Sequence, residues 1–221
     1  MKKSTILSSL LGVFIFMLNI AYSQSFNNEI DAFKKLDDIS MPVPGGIVFA
    51  GSSSFRMWKN LNTTFPEYPI INRSFGGSSL PDVIYYVQET IIKYKPKQIF
   101  IYCGENDIAG NSTVTADTVF QRFKKLFSII RTKLNKKTEV VYVSIKPSVS
   151  RWHLEKTFVE SNELIKAFLS KEKHTQYLDV HTSMLSPDGN VRKDIFIEDN
   201  LHMNSKGYAI WTSIIQPVLM K

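Results

Sequence analysis

Cysteine is all but missing from this sequence. Cys103 is the single one in 221 residues, so no disulfide can form within the chain and no thiolate cluster can hold zinc. Stability must come from the core. Blocks of like charge are missing too. The net charge is +7, about +5 once Lys2 and Lys3 are set aside, and the lysines are scattered. Lys124-Lys125 and Lys133, Lys136 and Lys137 read as the solvated face and end of a helix. Nucleic acid is therefore not an expected partner, and only a mild attraction to anionic membrane or polysaccharide surfaces follows. The four histidines lack ligand spacing, which leaves no metal site to expect. Internal repeats, low-complexity linkers and a second composition regime are also absent, so the length fits one domain.

Long apolar runs are absent except at the start. Lys2 and Lys3 precede the stretch Ile6 to Ile20, and Ala21-Tyr22-Ser23 follows it before Gln24. A charged segment, an apolar segment and a small-x-small cleavage site make a secretory signal peptide. The expectation is a leader over 1–23, cleavage near Ser23/Gln24, a mature domain over 24–221, and a secreted or periplasmic protein. An uncleaved anchor is the alternative, but Ser8, Ser9 and Asn19 interrupt the run, which is short for a span. No stable membrane anchor is expected.

Beyond the leader, strands and helices alternate. Phe26, Ile30, Phe33, Leu36 and Ile39 fall at helical spacing, and Pro42 to Gly46 ends that helix. Short apolar runs at Ile47–Ala50, Tyr68–Asn72, Gln98–Cys103, Glu139–Ile145 and Tyr177–Val180 read as five strands. Helical patterns stand between them, including a long stripe from Val119 to Leu134, and a last helix runs from about Asn204 to the end. Five such alternations argue for a parallel sheet with helices on both faces.

In such a sheet, ligands bind beyond the carboxyl ends of the strands. The polar segments there are Gly51–Ser54, Ser74–Ser79, Gly104–Asp107 and a late loop holding Asp199 and His202. The first is the stretch around which the chain is organised. A serine at a strand-to-helix turn presents its Oγ at the sheet edge, with backbone N–H groups of the helix start aimed at any anion formed there. N-capping serines in a loop would give the same letters.

These four segments, in this order, resemble the sequence blocks of the SGNH hydrolases, also called GDSL-type esterases and lipases. The run around Gly51–Trp58 is most similar to lysophospholipase L1-like bacterial members related to platelet-activating-factor acetylhydrolase. The resemblance implies a three-layer α/β/α sandwich with a five-stranded parallel sheet (flavodoxin-like), a carboxylic ester hydrolase working through an acyl-enzyme, and no cofactor. It makes Ser53 the nucleophile, His202 the general base and then acid, and Asp199 the residue that orients His202. Ser53, Gly77 and Asn106 become the oxyanion hole. Ser52 departs from the family's aspartate, and Ser52 and Ser54 remain alternative nucleophiles. Asp199 and His202, three apart in what would be a helical turn, can share one side. His181 is the alternative base, His174 reads as solvated, and Cys103 as a small buried residue.

Arg56, Trp58, Arg151, Trp152 and His153 are expected at the rim of the site, where cationic and aromatic groups suit a polar scaffold. The connections between the blocks are short, so no apolar insertion can form a lid or wall a tunnel. The expected substrate is a small molecule or carbohydrate bearing short acyl groups, acetyl above all. A lysophospholipase acting on lipid esters is one alternative, and a binding module that has lost turnover is the other. Oligomeric state is not legible.

Overall fold

The computed structural model describes residues 26–221. The expected signal segment and the Ser23/Gln24 junction lie outside the described residues. The chain divides into two units, Met1–Ser40 and Met41–Lys221. Of the first, the described part is helix α1 (Asn27–Ile39). The second carries the whole sheet. Among the described residues no helix is long and apolar enough to cross a membrane.

Five strands, β1 (Ile47–Gly51), β2 (Ile70–Asn72), β3 (Gln98–Tyr102), β4 (Glu139–Val143) and β5 (Thr175–Leu178), form one sheet in the order β2-β1-β3-β4-β5. Every pairing is parallel. A parallel sheet covered on both faces needs nearly continuous apolar strands, and β1 and β3 are buried along their whole length. Gln98 is the polar exception in β3. Its amide is matched by the Val218 carbonyl at 2.7 Å and the Met220 N–H at 2.9 Å, which ties the chain's end to the sheet.

Alternation sorts the strand side chains between two layers. Phe49 and Phe100, paired across β1 and β3, stack at 4.5 Å on the face that also holds Phe55, Tyr102, Val141 and Trp211. On the other face Tyr142 meets Phe123 of the long helix edge-on at 4.9 Å. The result is the three-layer α/β/α arrangement expected from the sequence.

The elements between the strands differ in detail from the periodicity. After β1 comes a single turn, α2 (Ser53–Arg56), and then α3 (Leu61–Thr64). The helix after β2 breaks at Tyr86 into α4 (Leu80–Tyr85) and α5 (Val87–Thr90). α6 (Glu105–Ala109) follows β3 directly, and α7 (Ala116–Lys133) packs against α4 and against α8 (Glu155–Leu169). β5 ends at Leu178, not Val180. The last helix, α9 (Ser205–Ile215), stops short of the terminus because Pro217 cannot continue an α-helical ladder and a 3₁₀ turn takes over.

Strand order 2-1-3-4-5 reverses direction between β1 and β3. From β1 the chain moves one way to β2, and from β3 it moves the other way to β4. The loops leaving these two adjacent strands therefore diverge and open a crevice, the place where such sheets bind ligands. Ser53 follows β1 and Asn106 follows β3, so the two lie on either side of it.

Candidate active site

The turn after β1 depends on Gly51. Its φ is +133°, and a Cβ there would stand 2.0 Å from the Tyr102 carbonyl oxygen of the neighbouring strand, so no other residue fits. Ser52 N–H continues the ladder to that same oxygen at 3.0 Å, and the Ser52 carbonyl then accepts from Phe55 and Arg56 to start α2. Phe55 anchors this short helix among Phe49, Tyr102 and Trp211. Tyr208 of α9 donates to the Ser54 carbonyl at 2.9 Å. Ser52 and Ser54 are each only 2% exposed, which leaves Ser53 as the accessible member of the three.

The loop carrying Asp199 and His202 is not a helical turn. Phe196 and Met203 bridge antiparallel, and Asn200 sits at φ +56° in the left-handed region that asparagine tolerates. Asp199 Oδ1 accepts from the N–H groups of Leu201 and His202, both at 2.9 Å, so the carboxylate itself folds the loop. Asn204 caps α9 by accepting from Lys206 and Gly207, while its NH₂ donates to the carbonyls of Asp194 and Phe196. The loop is thereby fixed to a helix whose Trp211 packs against Phe55 and Trp58.

Held this way, His202 Nε2 lies 2.9 Å from Ser53 Oγ, and His202 Nδ1 lies 2.5 Å from Asp199 Oδ2. Desolvation pushes the Asp199 carboxyl upward, but hydrogen bonds from the His202 ring and from the backbone of His202 and Leu201 outweigh it. Its pKa ends below the ordinary carboxylate value. A serine, a histidine and an ionised carboxylate in series can move a proton from the hydroxyl to the ring and stabilise the charge that results.

The three donors expected for an oxyanion sit on the loops after β1, β2 and β3. The N–H groups of Ser53 and Gly77 have no hydrogen-bond partner among the described residues. Gly77 is exposed at φ +75°, and a Cβ there would meet nothing within 4 Å, so backbone conformation is what calls for glycine. The loop holding it is tied to β1 through Phe75 N–H and Ser78 Oγ, which both donate to the Gly51 carbonyl. Asn106 Nδ2 reaches Ser52 Oγ at 2.6 Å and the Ser78 carbonyl at 3.0 Å. Its neighbour Asp107 braces the crevice by accepting from Leu80 N–H of α4 at 2.9 Å and from Arg122 of α7 at 2.7 Å.

The residues expected at the rim separate into four placements. Trp58 is not at a rim at all. It is 2% exposed, with its ring against Phe65, Tyr208 and Trp211, because the short α2 turns its apolar side into the core. Arg56 is exposed and lies over Gly76, where an added Cβ would be 3.2 Å from its Cδ. Arg151 reaches inward to Asn106 Oδ1 at 3.0 Å. Trp152 and exposed His153 lie on the 3₁₀ turn Trp152–Leu154, and Trp152 lines a groove of about 980 Å³ with Asp188, Asn190, Arg192, Lys193 and Asp194.

The other histidines and the cysteine are engaged elsewhere. His181 Nε2 is paired with Glu155 Oε1 at 2.6 Å, and His174 lies 3.9 Å from Glu139. Cys103 is 1% exposed, and burial raises its thiol well above the ordinary value, which suits a packing role. Among the described residues no cluster of three or more His, Cys, Asp or Glu could hold a metal ion. Two charged residues of the site have no signal in the pattern of the sequence. Glu105 and Lys146 are 4% and 1% exposed and ion-paired at 3.3 Å beneath Asn106.

The model of the GDSL-like lipase/acylhydrolase family matches residues 45–210. The chain belongs to that family. Platelet-activating factor acetylhydrolase IB subunit alpha2 of Gallus gallus is 26% identical over 172 residues, 74% of this chain and 71% of that protein. A structure of a candidate platelet activating factor from Streptococcus pneumonia superposes with a TM-score of 0.77 at 17% identity, covering 95% of this chain and 99% of that one. An acetyl-xylooligosaccharide esterase of Geobacillus superposes at 0.62 with 12% identity over 80% and 94% of the two chains. This GDSL-family chain thus shares the SGNH hydrolase fold, and its family is one of ester hydrolases.

Proposed function

We propose that this protein is a serine esterase that removes short acyl groups, acetyl above all, from a polar or carbohydrate scaffold. The observation that carries the reading is the series Asp199–His202–Ser53, with contacts of 2.5 and 2.9 Å. Ser53 Oγ attacks the ester carbonyl as its proton passes to His202 Nε2. The tetrahedral oxyanion collapses, and the alcohol leaves with the proton from His202. Water then repeats the sequence on the acyl-enzyme and frees Ser53.

The oxyanion falls to the N–H groups of Ser53 and Gly77 and to the NH₂ of Asn106. Both Asn106 hydrogens are already placed, one on the Ser78 carbonyl and one on Ser52 Oγ. The second is the one that an oxyanion would share, since a hydroxyl gives up an acceptor role more readily than a buried carbonyl. Serine at position 52, in place of the family's aspartate, is compatible with this exchange because it is neutral.

The alcohol side is assigned to the groove flanked by Trp152, where one aromatic face stands among carboxylates, an amide and cations. Beside the apolar Val149, Leu185, Pro187 and Val191, those charged and amide groups offer a sugar hydrogen-bond partners next to an aromatic face. With residues 1–23 as a leader, the domain over 24–221 would act outside the cytoplasm. A fluorophosphonate probe and p-nitrophenyl acetate test the reading together. Wild type should be labelled and should turn over, and Ser53→Ala should do neither. An unlabelled, inactive wild type would instead mean a binding module on the same fold.

A further inference from the structure

Resting on the esterase reading, we propose that Arg151 is a positioning residue that sets which way the Asn106 carboxamide faces. An asparagine side chain has two ends of opposite chemistry, an acceptor oxygen and a donor NH₂, and a flip exchanges them. Only one orientation can serve an oxyanion. The Ser78 carbonyl, which can only accept, asks for the NH₂ at 3.0 Å. Arg151, which can only donate, asks for the oxygen at the other end, also at 3.0 Å. A flipped amide would set NH₂ against guanidinium and oxygen against carbonyl. Two partners of fixed polarity thus give the carboxamide one orientation.

Arg151 is itself fixed. The same Nη1 lies 3.0 Å from Glu105 Oε1, an ion pair that holds the guanidinium in place. Glu105 accepts from Tyr102 Oη at 2.5 Å through its other oxygen and pairs with Lys146 Nζ at 3.3 Å. Burial opposes ionisation of Glu105, but Lys146 and Arg151 outweigh it and hold its carboxyl below the ordinary value. Tyr102 is pushed well upward by burial and by that carboxylate, so its hydroxyl keeps its proton and donates. Glu105 is thus held as a carboxylate and Tyr102 as a phenol. The guanidinium on Oδ1 also draws electron density away from the NH₂, which makes it a stronger donor.

The test is a cycle of Arg151→Ala, Asn106→Ala and the double variant on p-nitrophenyl acetate, a substrate with no polar scaffold to contact. Arg151→Ala should lower kcat by about tenfold, less than the 10²–10³ of losing the donor itself, with KM within about twofold. In the Asn106→Ala background the same change should cost less than about twofold, because the group it positions is gone. Millimolar guanidinium should restore part of the rate in the single variant and nothing in the double. Arg151→Lys covers the case in which the alanine variant melts early. It keeps the charge on a differently shaped head group, and any loss it shows should likewise vanish without Asn106. Equal losses in both backgrounds, for either variant, would overturn the proposal. So would a raised KM with kcat intact, the signature of a rim residue that touches substrate. Failure of the esterase reading looks different, since wild type itself would then be inert.

Discussion

Ser53 and His202 stand 149 positions apart in the chain, yet their side chains meet at 2.9 Å. Neither is held by its own loop alone. Phe55, two residues after the serine, and Trp211, nine after the histidine, pack edge-on in the core at 5.7 Å. The meeting of these two side chains thus rests on an aromatic contact between their elements.

The first expectation follows from that placement. Ser53→Ala should abolish hydrolysis of p-nitrophenyl acetate, while Ser54→Ala and Ser52→Ala keep the fold and much of the rate. Ser52 is informative because its Oγ takes a hydrogen from Asn106. Removing that oxygen frees the donor without touching the triad. Steady-state kinetics on the three variants decide it, and near wild-type turnover in Ser53→Ala would end the assignment.

Asn106→Ala should lower kcat by about 10²–10³ with little change in KM, the usual consequence of losing one oxyanion donor. The split between the two constants is the measurement. A raised KM with kcat intact would make Asn106 a substrate contact.

Much of this arrangement is legible in the amino-acid sequence alone. Glycine, serine, asparagine, aspartate and histidine keep their order and stand after the expected strands, because strand ends and turn chemistry are local. The residues that the sequence misplaces depend on distant packing. Trp58 reads as a rim aromatic by its nearness to Ser53, but a one-turn helix points it at Trp211, which lies far along the chain. Asp199 and His202 read as a helical pair, whereas the carboxylate bonds to the backbone make a left-handed turn at Asn200. Glu105 and Lys146 carry no signal, since a lysine just past a strand ordinarily reaches solvent. Only tertiary contact buries it against a carboxylate.

That buried pair gives a stability prediction. Lys146 is 1% exposed, with its ammonium 5.6 Å from the centre of the Phe196 ring. Lys146→Met fills the space but leaves Glu105 with Arg151 as its one cation, beside the Tyr102 hydroxyl. Breaking a buried pair typically costs about 3–5 kcal/mol, and with one cation remaining the low end is expected, roughly 3 kcal/mol. Urea unfolding measures it. A loss under about 1 kcal/mol would mean that the desolvation of Lys146 had cancelled the attraction.

Acid should act on the same cluster. Glu105 has a folded pKa below its unfolded value of about 4.3, so the folded state binds the proton less tightly. The resulting stability is fully present above that value and is lost as pH falls through the depressed folded one. Melting temperature should hold from neutrality to about pH 5 and drop steeply below about pH 4. Glu105→Gln should start lower and show a shallower acid decline. Parallel curves for the two proteins would remove Glu105 from the acid transition.

The last expectation separates a short acyl group from a lipid chain. Beyond Arg56, on the β2 side of the site, lies a depression of about 580 Å³ lined in part by Val43, Pro69, Ile70 and Ile71. A lipid acylhydrolase would lay its chain there. Each methylene so buried contributes about 0.8 kcal/mol, or roughly a fourfold rise in kcat/KM when the contact is made in the transition state. Against this stand Arg56, which lies over Gly76, and Lys59 and Arg73, which line the same depression. These cations interrupt the apolar lining that an acyl chain would need. Aryl esters from acetate to decanoate, assayed below their micelle concentrations, measure the slope. Activity should peak at about two to four acyl carbons and fall beyond, since a pocket discriminates by only about 1–3 kcal/mol per methylene. A steady climb to eight carbons or more would place the chain in the β2-side depression and make this a lipid enzyme.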